Sequence, residues 1–360
     1  MEGKGMDLHL DRDPTVQGLA RALFAAPGAT GPVRAARWHG SALDEGLWAS
    51  SANAGLLGVA LPEEHGGGGR GLAALATVLE EQGRRTAPVP LWSATVAALA
   101  VARHGSHVQR ADLLDPASAG AVRLTVALEE RGLGPSAVPS AVPSTPRTAA
   151  TPTGTRWLLS GAKAVVPAYD GADYALVSAA TPDGPGLFLV VADSDGVAWR
   201  PARASGGALA GELLLDEAVG QPVGRPGGDA VPDTLRVAAV ALAALQTGAV
   251  AGALQHAAAV GLRQIGGHRA LADGRVELDA LRRTLWHAVA DLERGDAAAA
   301  EVSTTVATWW RIRGGLDVAQ RIQRLCAGPD HPVRHPVRHP VPRPVRRHLH
   351  WVRQLATTLA

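Results

Sequence analysis

From position 14 to about 104, apolar residues recur every three to four places, the spacing of helices that each bury one face. Asp13 and Pro14 supply a cap and a first helical position. Leu43, Leu47, Ala52, Leu56 and Leu57 make one apolar stripe, and 61–69 then breaks it with Pro62 and the run Gly66-Gly67-Gly68-Gly69. The spacing resumes over 72–83, stops at Ala87-Pro88-Val89-Pro90, and returns over 92–102.

The period then shortens. A β-type run covers 122–128, followed by a tandem duplication, Ser136-Ala137-Val138-Pro139 and Ser140-Ala141-Val142-Pro143, whose prolines lack the amide donors a ladder needs. Short strands are expected at 156–159, 174–179, 186–191, 197–200 and 212–215, with Gly, Pro and Asp between them, as in a small barrel or sandwich. From about 232 the helical period returns. The segment 233–262 is apolar nearly all round, as suits a helix buried on most sides. Leu271, Val276, Leu278, Leu281, Leu285, Val289 and Leu292 form an amphipathic stripe closed by Gly295, and another helix spans 297–325. His331-Pro332-Val333-Arg334 repeats at 335–338, proline-broken basic sequence runs on to 348, and a last helix is expected over 346–359.

The fold class expected is α+β and multidomain: an N-terminal helical domain (1–121), a middle β-barrel domain (122–228) and a C-terminal four-helix bundle (229–360) with a Pro/Arg/His-rich insert at 329–348. A chain of 360 residues can bury a sizeable core. The formal charge of +2 and the lack of a basic stripe alternating with aromatics argue against a nucleic-acid surface. No run of about 18 uninterrupted apolar residues suggests a membrane span. The first residues lack the basic-then-apolar order of a signal peptide, so a cytoplasmic location is expected. The single cysteine, Cys326, excludes an intrachain disulfide framework.

Candidate chemistry is sparse. His331, His335 and His339 recur every fourth residue, but each precedes a proline, so the segment is extended and no metal site is expected. Gly66–Gly69 lacks a following Lys-Ser/Thr and is not a phosphate loop. Cys326 has no nucleophile pattern, Trp309-Trp310 reads as helix packing, and His287 and Glu277 could face a cavity without any signature that marks them.

Motifs in all three parts carry a resemblance. They are 56–67, ending Leu61-Pro62-Glu63-Glu64-His65-Gly66-Gly67; Val78-Leu79-Glu80-Glu81-Gln82-Gly83; Ala127-Leu128-Glu129-Glu130; Leu159-Ser160-Gly161-Ala162-Lys163 with Ala172-Asp173-Tyr174; and His350-Trp351-Val352-Arg353-Gln354-Leu355. Together they resemble the acyl-CoA dehydrogenases, in the actinobacterial branch that includes sterol side-chain dehydrogenases. The resemblance implies FAD as cofactor and an acyl thioester, on CoA or a carrier protein, as substrate. It also implies assembly as a homodimer or tetramer, or as a heterotetramer with a second subunit type.

That family removes a proton from the α-carbon with a glutamate held at one of two places. At the first, the resemblance aligns Leu235-Arg236 with the family's Glu-Arg, and leucine takes no proton. At the second, a shortened loop leaves Asp330 as the nearby carboxylate, with a turn role as the alternative. Glu129 is the other candidate base, standing where a threonine often bonds the flavin. By the same resemblance Leu128, Glu130, Val166 and Pro167 would lie against FAD, and Arg263 and Gln323 on its diphosphate. Three functions stay open: a partner subunit of a heteromeric dehydrogenase, a dehydrogenase with a relocated base, or a fold repurposed for a non-redox biosynthetic step such as cyclisation, dehydration or isomerisation.

Overall fold

The computed structural model describes residues 13–26, 44–130, 146–154, 156–167, 171–201, 210–261, 267–327, 345, 348–352 and 355, with only the backbone at 259–261 and 325–327. The 136–144 duplication, Arg263, Asp330 and the His-Pro-Val-Arg repeat lie outside the described residues.

Helix α1 (Pro14–Ala25) begins as its cap predicts, with the Asp13 carboxylate accepting from the amides of Thr15 and Val16. Helix α2 (Glu45–Asn53) is short, and a single turn at Glu63–His65 follows before the glycine run. Helices α3 (Gly71–Arg85) and α4 (Leu91–His104) occupy the two apolar stretches expected. Helix α5 (His107–Ser118) was not expected from the apolar spacing. A reciprocal capping box between Ser106 and Gln109 starts it, and Pro116 sits inside it.

The strands are β1 (Leu124–Ala127), β2 (Ala149–Thr153), β3 (Arg156–Pro167), β4 (Tyr174–Thr181), β5 (Gly184–Val191), β6 (Val197–Pro201) and β7 (Ala210–Val223). Strands β3 and β7 run well beyond their expected lengths, and β2 had no expectation. The ring closes as β4, β2, β3, β7, β5 and back to β4, with β1 parallel on β4 and β6 on the outside of β7. Strand alternation divides the two cores. Leu124, Val126, Leu176, Leu187 and Leu189 face the helical core, while Ala127, Ala175, Val177, Phe188 and Val190 fill the barrel.

Helices α6 (Ala230–Gly261), α7 (Gly267–Arg294) and α8 (Ala297–Ala327), with helical residues at 348–352, form the C-terminal bundle. By length and mean hydropathy (1.9 over its most apolar window) α6 could cross a membrane, but 94% of that window is buried within the fold, as in a core helix. It crosses α3 at unusually close range. A Cβ on Gly83 would stand 2.1 Å from the Leu245 carbonyl oxygen, and one on Gly248 would stand 1.9 Å from that of Glu80. The fold is therefore helical, then barrel, then helical, as the sequence pattern predicts.

Candidate functional site

The barrel rim next to the bundle is built from the end of β1 and the end of β3. Thr125 donates its hydroxyl to the Pro167 carbonyl at 2.6 Å, and the Ala164 amide donates to the Glu129 carbonyl at 2.8 Å. These bonds bring Leu128-Glu129 beside Val165-Val166-Pro167, two segments 36 or more positions apart in the chain. Between Lys163 and Val166 strand β3 slips its register on β7, passing three steps while β7 passes two, so one residue bulges out. Val165 lies in that bulge with φ of 47°. A left-handed conformation crowds Cβ and costs an L-residue about 1–2 kcal/mol, and a branched side chain makes it an outlier.

Beneath the bulge, Lys163 is fully buried and donates to Glu130 at 2.6 Å and to the Ser178 hydroxyl at 3.0 Å. Glu130 also accepts from the amides of Arg147 and Thr148. Burial pushes the Glu130 carboxyl up, but Lys163 and the two amides outweigh it and hold the group below the usual carboxylate range. Adjacent glutamates thus serve different parts of the molecule. Glu130 is spent inside the barrel, whereas the charge of Glu129 acts on Arg311 of the bundle.

Among the described residues Arg311 is the largest fully buried side chain, only 1% exposed. It donates to the Leu355 carbonyl, and its own carbonyl accepts from Gln246. Burial pulls its pKa down to about 10, with Glu129 acting in the opposite direction. Among the described residues no hydrogen-bond partner meets its buried Nε. The sequence offered one signal for it: Thr304, Ala307, Arg311, Val318 and Ile322 fall on the buried side of α8.

At the start of α6, Leu235 is partly buried against the helical core. The only carboxylate on α6 is Asp233. It accepts from His104 at 2.9 Å and from Arg103 at 3.1 and 3.2 Å. Burial raises its pKa, yet His104 and Arg103 together hold it below the ordinary aspartate value. A carboxylate so paired is a poor proton acceptor.

The expected site residues separate into groups. Leu128, Glu129 and Pro167 stand at the rim and are partly exposed, whereas Glu130 is engaged with Lys163 and the Val166 side chain fills the barrel core. Gln323 is partly exposed near the end of α8 and has interaction partners there. His287 is exposed on α7, and Trp309 and Trp310 stack edge-on at 5.1 Å. Among the described residues no three His, Cys, Asp or Glu side chains gather in a metal-like group.

Residues 20–121 match the family model described as "Acyl-CoA dehydrogenase, N-terminal domain". The chain is 32% identical over 314 residues to acyl-CoA dehydrogenase FadE27 of Mycobacterium tuberculosis, covering 81% of each. Among solved structures, a steroid ACAD, Tcur3481–Tcur3483 in its G363A variant, superposes with a TM-score of 0.85. Its identity is 43%, over 96% of this chain and 93% of that one. The ChsE4–ChsE5 complex of Mycobacterium tuberculosis superposes with a TM-score of 0.80 at 27% identity, over 96% and 92%. Likeness that runs through helices, barrel and bundle at this level of identity makes the chain a member of the acyl-CoA dehydrogenase family.

Proposed function

We propose that this chain is the partner subunit of a heteromeric acyl-CoA dehydrogenase acting on an acyl thioester. A second subunit type supplies the proton-abstracting carboxylate and completes the flavin site. The observation that carries this reading is the start of α6, where Leu235 offers hydrocarbon and Asp233 is neutralised by Arg103 and His104. Two similar structures are named as pairs of distinct chains, Tcur3481–Tcur3483 and ChsE4–ChsE5, which supports the same arrangement here.

FAD is the cofactor of the family, and its ring sets a requirement on the residues at the rim. An isoalloxazine ring needs hydrogen-bond donors at its carbonyl and nitrogen edge, placed before charge develops there. This rim presents the carboxylate of Glu129, the apolar Val165, and a Pro167 carbonyl already accepting from Thr125. These side chains bring no donor to that edge, and the Glu129 charge acts on Arg311 of the bundle. The rim side chains alone do not fit the flavin ring, so in the proposed assembly the second subunit supplies the missing donors.

Absorption of the purified protein near the flavin band tests the proposal. The chain expressed alone is expected to be colourless. Co-expressed with a subunit that carries the helix glutamate, it should co-purify as a yellow assembly that acyl-CoA bleaches. A yellow homo-oligomer bleached by acyl-CoA would refute the partner reading. A colourless homodimer that associates with no second subunit would favour the repurposed, non-redox fold.

A further inference from the structure

Two adjacent arginines end α3, and carboxylates of the fold meet only one of them. Arg84 reaches Glu80 at 3.1 Å and Glu81 at 3.3 Å. Those carboxylates are shared further, Glu80 with Arg282 and Glu81 with Gln17 and Arg21. Arg85 is partly exposed and makes no ion pair or side-chain hydrogen bond among the described residues, and its buried Nε finds no acceptor there.

Two histidines stand beside it. His256 is exposed on α6, His348 is buried in the C-terminal helical residues, and their ring centroids lie 5.0 Å apart, tilted by 52°. His348 Nε2 lies 2.9 Å from the Arg84 carbonyl, which only accepts, so that nitrogen carries a proton. Gly252 of α6 makes room for this bond, since a Cβ there would stand 2.4 Å from both atoms. The burial His256 has, then His348, then Arg85, hold its pKa below the ordinary histidine value, and no carboxylate opposes them. The other charged groups on the packed elements are Arg84 with Glu80 and Glu81, Arg282 of α7 on Glu80, and His350 two residues beyond His348. Arg311 of α8 lies farther along, at the Leu355 carbonyl. Cations in the last turn of a helix complement its dipole, which accounts for Arg84 and Arg85 as such. It does not account for an exposed histidine of a second helix beside the arginine that lacks a carboxylate.

We propose that Arg85 and His256 form a site for a doubly charged tetrahedral oxyanion, such as a phosphate group. Arg85 supplies a fixed charge and a fork of donors, and His256 adds a second charge when protonated. Binding therefore tightens as pH falls through the His256 pKa, and the bound anion raises that pKa in return. The site does not depend on the function proposed above.

Sulfate, whose charge stays constant near neutral pH, is the probe, with chloride at matched ionic strength as the reference. NMR titration of the His256 ring in the unaltered full chain should give a pKa about one unit higher in saturating sulfate than in chloride. That shift corresponds to about tenfold tighter binding by the protonated form. Arg85→Gln should weaken sulfate binding about tenfold, the scale of losing one charge-assisted hydrogen bond, and abolish the response of His256. Arg275→Gln, exposed on α7, should do neither. His256→Gln should bind sulfate equally at about pH 6 and about pH 8, where the unaltered chain binds more tightly at the lower value. A helix-end role alone predicts that Arg85→Gln lowers Tm and leaves sulfate affinity unchanged, and that result overturns the proposal. So does a His256 pKa that is the same in sulfate and in chloride. ADP and CoA in place of sulfate separate the sources of the anion. Tighter binding by either identifies a nucleotide's phosphate as the ligand, and binding no tighter than that of sulfate identifies the free ion; both uphold the site.

Discussion

At the scale of single residues, buried charges in this chain are met by partners, Glu130 by Lys163 and Asp233 by Arg103 and His104. Arg311 shows what that costs. A guanidinium only 1% exposed must be compensated, and Glu129 is the charge acting on it across the barrel–bundle junction. Glu129→Gln should therefore destabilise the protein by about 2 kcal/mol in urea unfolding, within the range for leaving a buried charge uncompensated. Adding Arg311→Met should recover part of that loss, because a buried apolar side chain demands no countercharge. A double variant less stable than Glu129→Gln would show that Glu129 does not serve Arg311. Asp233 makes a separate prediction in pH. Its folded pKa is depressed by His104 and Arg103, so the folded state binds its proton less readily than the unfolded chain, whose value lies near 3.9. The stabilisation is complete above that unfolded value and is lost as pH falls through the folded one. The Tm gap between the native chain and Asp233→Asn should be widest near neutrality and close in strong acid. A gap that persists at about pH 2 would contradict the assignment.

At the scale of elements, most of the helical order was legible because each long helix announces itself by a stripe and a stop. Asp13 and Pro14 at α1, and the apolar run of α6, are found where the pattern puts them. Local capping without a strong stripe was harder to read. Ser106 and Gln109 start α5 although its apolar face is weak. Strand lengths were underestimated for a physical reason. Residues 160–167 extend β3 through Gly161, Lys163 and the Val165 bulge, and none of these reads as strand without a partner to pair with. The expectation of a base position at Leu235 came from the family resemblance alone, since nothing about that leucine marks it otherwise. Only the family resemblance brought Leu128, Glu129 and Pro167 together, because long-range bonds such as Thr125–Pro167 leave no trace in local spacing. The α3–α6 crossing is the element that should tolerate least. Gly248→Ala would set a methyl 1.9 Å from a backbone oxygen, and neither helix axis can yield without moving the whole apolar face. We expect a loss of about 3 kcal/mol or failure to fold, measured by urea unfolding, while Gly18→Ala, in the helical backbone of α1 with open space around it, serves as the control. Equal stability of the two variants would show that the helices can separate freely.

At the scale of the whole molecule, two kinds of contact join the parts, and their sizes decide how the chain unfolds. Among the described residues the polar ties between parts are few and specific. Glu80, 3% exposed at its side chain, accepts from Arg84 at 3.1 Å and from Arg282 of α7 at 3.0 and 3.1 Å. Glu293 of α7 caps the Ala73 amide of α3 at 2.9 Å, and Gln109 of α5 donates to the Pro222 carbonyl of β7. Apolar contact is broader. One continuous core takes in α1, α3, α4, α6, α7, α8 and the helix-facing side of β1, β4 and β5. Each fully buried leucine or valine in such a core contributes about 1.5–3 kcal/mol, so dozens of them exceed a handful of ion pairs. The boundaries between helical region, barrel and bundle should therefore not appear as separate thermal steps. Glu80→Gln removes a buried carboxylate that serves two arginines and should lower Tm by about 4 °C, from a loss of roughly 3 kcal/mol. Differential scanning calorimetry should still record one transition for the variant, with calorimetric and van't Hoff enthalpies in agreement. Two resolved transitions would mean that Arg282–Glu80 and its neighbours, and not the shared apolar core, couple the N-terminal helices to the bundle.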